Sequence, residues 1–226
     1  GPGAFSGAAD VLLQQGRGSL GAQTTAEVTT MGQAASGDAR ASTNLSTEFD
    51  DLAFEVLGEP GPEGDTFIGS VIMDASADGS VGASYEDRGF RASWRVEMEV
   101  WLDIGPNSSP QLVWFGTKSR VLEVVFGQIT RNESNETGFF ADEPSLLFEA
   151  PLLEPVSGRL DLFVLSIVTA GSGSAANSMA NALNTLSFPL DGPAFDLPEG
   201  ITVNSEQLAI VNNRWRFEWT YAATVF

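Results

Sequence analysis

Asp74-Ala-Ser76-Ala-Asp78-Gly79 sets oxygen-bearing side chains at alternate positions ahead of a glycine. An EF-hand-like loop opens this way, because calcium takes hard oxygen ligands and the glycine permits a sharp turn. Such a loop closes on a bidentate acid at its twelfth position. That position is Tyr85 here, and Glu86 falls one residue late. The same residues lie between two strand patterns, where Asp78-Gly79 also reads as a hairpin turn. Calcium held by Asp74, Ser76 and Asp78 therefore competes with an ordinary turn.

Glu97, Glu99 and Asp103 share one face of a single alternating stretch, with Arg95 beside them. Retaining glycosidases place two carboxyl groups about 5–5.5 Å apart. Residues two apart on a strand are separated by roughly 6.6 Å, so the spacing is compatible with that chemistry. Cross-strand ion pairing on a wet face explains the same residues without catalysis. Aromatic residues form a third group. Trp101, Trp114 and Trp219 are candidates for stacking against sugar rings, with burial in a core as the competing role. Cysteine and histidine are both absent. That excludes disulfides, thiol nucleophiles, Ser-His-Asp triads and the usual zinc sites.

These candidates must be carried by strands. In Arg91–Ile104 the even positions Ala92, Trp94, Val96, Met98, Val100, Leu102 and Ile104 are apolar, and the odd ones are polar except Trp101. Period-two alternation marks a strand with one buried face. Further strands are expected over Leu52–Leu57, Thr66–Ala75, Ser80–Glu86, Gln111–Thr117, Arg120–Ile129, Ser145–Glu149, Arg159–Thr169, Asn184–Leu190, Ile201–Asn204 and Trp215–Val225. Trp215, Phe217, Trp219 and Tyr221 share one face of the last. Ser172–Ala182 reads as a loop or a short helix. Many short strands with turn residues between them and no 3.6-residue periodicity predict an all-β, antiparallel, jelly-roll-like sandwich. The sandwich is expected over residues 41–226. Residues 1–40, rich in Gly, Ala, Ser and Thr, are expected to form an N-terminal arm, with Ala22–Thr30 and Ala39–Thr47 fitting edge strands or a loosely held arm and Gly1-Pro2-Gly3 reading as a tag-cleavage remnant.

At 226 residues, 42% hydrophobic and 18% charged, the chain suits one globular domain. Thirty acidic residues against 11 basic ones give a net charge of −19. Nucleic acid, which needs clustered cations, is excluded as a partner on this ground. No run reaches the roughly 18 apolar residues of a membrane-spanning helix.

Asn184–Arg214, NTLSFPLDGPAFDLPEGITVNSEQLAIVNNR, resembles the membrane-proximal end of secreted bacterial proteins that carry a PEP-CTERM sorting tail. The likeness runs through "NTLSFP", "GP.FDLP.G.TVNS" and "IVNN" and covers mainly Leu160–Arg214. The Pro-Glu-Pro tail with its hydrophobic span and arginine cluster is missing from this sequence. The resemblance implies a secreted, extracellular protein of a bacterial surface or matrix, in a group often tied to exopolysaccharide. The expected function is non-enzymatic, structural or adhesive. A carbohydrate-binding module is the alternative, and a carboxylate-based glycan hydrolase comes after it. No cofactor is expected beyond a candidate calcium. The expected partners are extracellular polysaccharide or the chain itself, through strand addition that would build a filament if repeated head to tail.

Overall fold

Strands dominate the chain from its first described residue to its last. The computed structural model describes residues 4–31, 36–57, 65–84, 89–105, 109–142 and 145–216. The strands are β1 (Ala4–Gly16), β2 (Ser19–Met31), β3 (Gly37–Val56), β4 (Thr66–Val71), β5 (Asp74–Ala75), β6 (Asp78–Ser84), β7 (Phe90–Gly105) and β8 (Ser109–Val125). They continue as β9 (Gln128–Gly138), β10 (Leu147–Pro151), β11 (Pro155–Ala170), β12 (Ala175–Ser187), β13 (Phe195–Asp196), β14 (Ile201–Asn204), β15 (Ile210–Val211) and β16 (Arg214–Trp215). A 3-10 turn at Phe139–Ala141 follows β9, and the described residues contain no α-helix.

Two main sheets face each other, and all their pairings are antiparallel. The smaller runs β1-β2-β12, with β5 and β6 both on the far side of β12; the larger runs β14-β3-β11-β7-β8-β9. The all-β antiparallel sandwich expected from the alternation is the fold the chain adopts. Ala92, Trp94, Val96, Met98, Val100 and Leu102 on β7 are all buried, as period two requires. Strands paired in one sheet continue as paired strands in the other: β2 pairs β12 while β3 pairs β11, and β6 pairs β12 while β7 pairs β11. The chain thus crosses between sheets side by side at one end. Thr30 closes that end: its hydroxyl donates to the Gly171 carbonyl, and it accepts the Ser174 N–H at 3.1 Å.

The gap between the sheets narrows towards this end. The Ser166 hydroxyl of β11 reaches the Thr24 carbonyl of β2 at 3.0 Å, and that of Ser178 on β12 reaches the Ser93 carbonyl of β7 at 2.7 Å. One short side chain therefore spans from one sheet to the main chain of the other. Only small side chains fit there, and Ala26, Val28, Ala92, Val168, Ala170 and Ala176 form this part of the core. Trp94 is accommodated because Gly79 lies over it; a Cβ at Gly79 would stand 2.6 Å from the indole.

The opposite end is wide and filled by rings. The short sheet β10-β4-β13 closes it. Phe54, Phe67, Phe148, Phe188 and Phe195 meet there with centroids 4.8–6.1 Å apart. Such tilted and edge-on contacts add to the apolar area that the rings bury.

Several expectations are corrected. The boundary expected at residue 40 falls inside β3. The small-residue stretch before it supplies β2, whose Leu20, Ala22, Thr24, Ala26, Val28 and Thr30 are buried. Ser172–Ala182 is neither loop nor helix beyond residue 174. It becomes β12, because small residues at alternate positions (Ala176, Ser178, Ala180, Ala182) suit the narrow gap. Asp78-Gly79 makes no hairpin: β5 and β6 follow one another along the same side of β12. The two strands expected at 111–117 and 120–129 are one strand, turned at Phe126-Gly127, where φ is 49° and 73°. Of the strand expected over Trp215–Val225 only Trp215 and Arg216 are described, and Trp215 lies within β16; Trp219 lies outside the described residues.

Phe54→Ala is expected to cost about 3–5 kcal/mol in chemical denaturation, the range for emptying a well-packed aromatic site. Ile129→Thr, at a position 66% exposed, should stay within about 0.5 kcal/mol of the parent.

Candidate functional site

The outer face of the larger sheet carries the carboxylate cluster. Register places Glu48, Arg159 and Trp101 in one row across β3, β11 and β7, and Ser46, Asp161 and Glu99 in the next. Arg159 joins the rows. Its guanidinium lies 5.1 Å from the Trp101 ring centroid, and its Nε donates to Asp161 at 2.7 Å. Asp161 also accepts the Ser46 hydroxyl at 2.6 Å, and Glu99 accepts the Trp101 indole N–H at 2.8 Å. Glu97 is ion-paired with Arg95. The carboxylates read from the sequence thus share a face, each of Glu97 and Glu99 already bound to a neighbour on its own strand.

A cleft of about 380 Å³ opens beside Trp101, lined by Asp50, Asp103, Arg159 and Gln207 among others. A β-bulge builds it. Leu52 opposes Val156 and Phe49 opposes Gly158, so Asp50 and Asp51 together face the single residue Ser157. The bulge turns both aspartates towards the loop after β14. Asp51 accepts the Ser205 hydroxyl at 2.5 Å and the Gln207 N–H at 2.9 Å; Asp50 accepts the Gln207 side-chain amide at 2.7 Å. Asp50, Arg159 and Gln207 were not among the residues singled out from the sequence. The visible signal was the spacing of Phe49 and Leu52, both buried and three apart, which breaks the strand period.

The remaining candidates fall elsewhere. Trp114 is buried at 5% exposure against Phe139, 5.5 Å between ring centroids, so its face is not open to a sugar. Asp74, Ser76 and Asp78 project from one exposed side of an extended segment. On such a segment alternate side chains stand roughly 6.6 Å apart, which spreads the three oxygens rather than gathering them. Among the described residues no group of three or more acidic, His or Cys side chains is placed to hold a metal ion.

The Asn184–Arg214 run is largely occupied with holding the fold. Asn213 accepts the Phe195 N–H and donates to the Phe195 carbonyl, at 2.9 and 2.8 Å, acting as a strand partner for β13. Asn204 accepts the Asn212 N–H at 2.9 Å and donates to Glu55 at 3.2 Å. Just beyond, the Trp215 indole N–H donates to the Arg17 carbonyl at 2.9 Å and fastens the β1–β2 turn.

The terminal strands of the two main sheets include β9 and β1. On β9 the only buried residue is Gly138, and the strand carries Arg131, Glu133 and Glu136. Glu133 bonds Arg131 at 2.7 Å and raises its pKa, chiefly through that hydrogen bond. On β1 no residue from Ser6 to Gly16 is buried, and Asp10 is its one charge. Val11, Leu12 and Leu13 are 45–50% exposed.

Comparison with protein families and with characterised proteins yields no match. Among the described residues no helix is long and apolar enough to cross a membrane, which says nothing of a β-barrel.

Asp51→Ala removes the acceptor for both Ser205 and the Gln207 N–H. We expect a loss of about 1–3 kcal/mol, read as a lower denaturation midpoint with an unchanged slope.

Proposed function

We propose that the chain is a non-catalytic structural or adhesive protein of a bacterial surface or extracellular matrix, and that it associates with further copies of itself through β1. The observation that carries this reading is the state of that edge. Soluble proteins blunt long edge strands with lysine, proline, bulges or brevity, because unpaired main-chain groups otherwise template another strand. β1 is 13 residues long, pairs β2 without a register shift, and contains no Lys, Arg or Pro. Its inward Val11 and Leu13 and outward Leu12 would be covered on both faces by an added strand. Antiparallel pairing of two β1 strands about a two-fold axis gives a self-complementary contact. A register centred on Val11 sets Asp10 opposite a leucine of the other copy rather than another aspartate. The extracellular address rests on the Asn184–Arg214 resemblance.

The Trp101 cleft favours a second reading, the binding of a polysaccharide. An aromatic face flanked by Asp50, Asp103 and Arg159 offers a ring platform with polar groups for hydroxyls.

Ala8→Lys with Leu12→Lys places two cations on the outer face of β1. Sedimentation should show the parent self-associating and the variant monomeric at equal concentration; equal masses would refute assembly through β1. On a glycan array, Trp101→Ala should remove any signal the parent gives. Glu97→Gln and Glu99→Gln should leave that signal, and no member of the panel should be hydrolysed.

A further inference from the structure

The two sheets differ in width. β6 is the last strand of the smaller sheet on its side, whereas the larger sheet runs on through β8 and β9. The inward face of β8 and β9 therefore forms a ledge beyond β6. Among the described residues β6 pairs only with β12, so its other main-chain edge looks along this ledge.

The floor is built in register. Trp94 on β7 stands opposite Arg120 on β8, which stands opposite Ser134 on β9. Trp94 is 5% exposed and lies directly beneath Gly79 of β6. Among the described residues, the Trp94 indole nitrogen and Arg120 Nε are the buried side-chain polar atoms without a hydrogen-bond partner. They sit on directly opposed positions, and both are donors. Neither can satisfy the other, and each calls for an acceptor. Lys118, two residues along, is already committed: it bonds Glu136 at 2.8 Å and lies 5.8 Å from the Phe140 ring centroid.

We propose that the groove between β6 and the β8–β9 ledge binds an extended peptide segment of a partner protein. The segment adds as a strand to β6 and seats one Asp or Glu carboxylate between Trp94 and Arg120. Three observations agree on this occupant. The open edge supplies main-chain donors and acceptors, which a peptide strand matches and a sugar acid would leave unpaired. The buried donors call for a negatively charged acceptor, and charge-assisted bonds of this kind are the stronger ones. The net charge of −19 repels a polyacid at long range, so the fitting segment is neutral apart from that one acid. An added strand would also widen the smaller sheet to cover the ledge.

The test is calorimetric titration of the full chain with acetyl-Thr-Val-Thr-Glu-Thr-Val-Thr-amide and with its Gln counterpart, followed in parallel by the indole N–H resonances. The Glu peptide should bind at least about tenfold more tightly than the Gln peptide and shift the Trp94 indole N–H. Arg120→Met should erase that difference, and Arg120→Lys should retain part of it. Equal binding of the two peptides, no binding of either up to millimolar concentration, or an unmoved Trp94 signal would overturn the proposal. An ordered water bonded to both donors, unmoved by the Glu peptide, would overturn it as well. The peptide pair on the unaltered chain decides the question even if Arg120→Met fails to fold.

Discussion

The hydroxyl of Ser166 touches the main chain of the opposite sheet at 3.0 Å, and that of Ser178 does the same at 2.7 Å. Facing sheets ordinarily stand about 10 Å apart, with large side chains interleaved between them. Here the separation at one end is set by a single short side chain, and much else follows. Alanine, serine and threonine make up most of the inward faces of β2 and β12, and their leucines, Leu20 and Leu186, pair at the far end of the two strands. Trp94 needs Gly79. The bulky residues collect at the far end, where five phenylalanines and a short third sheet fill the space. The core is a wedge, and its taper fixes which strands face each other.

The wide end requires a closure, and the stretch from Phe188 to Trp215 supplies it. Its asparagines and Ser205 bond main-chain groups of β13, of the loop after β14 and of the turn following β15. Asp50 and Asp51 grip the same loop from a bulge in β3. Whatever cellular address this run carries, the polar side chains that bind Phe195, Asn212 and Leu208 serve the fold.

Unspent groups therefore lie at the margins. The interior satisfies nearly all its polar atoms, while β1 keeps an unblunted edge and the wider sheet keeps an uncovered ledge. The cleft at Trp101 arises where the bulge interrupts the regular pleat.

The alternation of residues 91–104 was legible in the sequence, and with it the sandwich and the shared face of Glu97 and Glu99. Period two is a local property of an extended chain, so no partner need be known to read it. The doubled aspartate between Phe49 and Leu52 was legible as a break in that period, although not as the wall of a cleft. The small residues of 22–30 were legible as a strand or an arm, but not as an inner strand with a buried face, and those of 175–182 not as a strand, because low hydrophobicity hides burial when the width of the gap is unknown. That width depends on Thr24 meeting Ser166, 142 residues away, and the cleft depends on Asp50 meeting Gln207 at a separation of 157. Local pattern and composition determined that the fold is all-β and the chain acidic, without cysteine or histidine. Which strands became neighbours, where the core could admit a large side chain, and which edges stayed open were decided by long-range pairing, because strand addition constrains residues far apart in the chain and leaves no mark on either stretch alone.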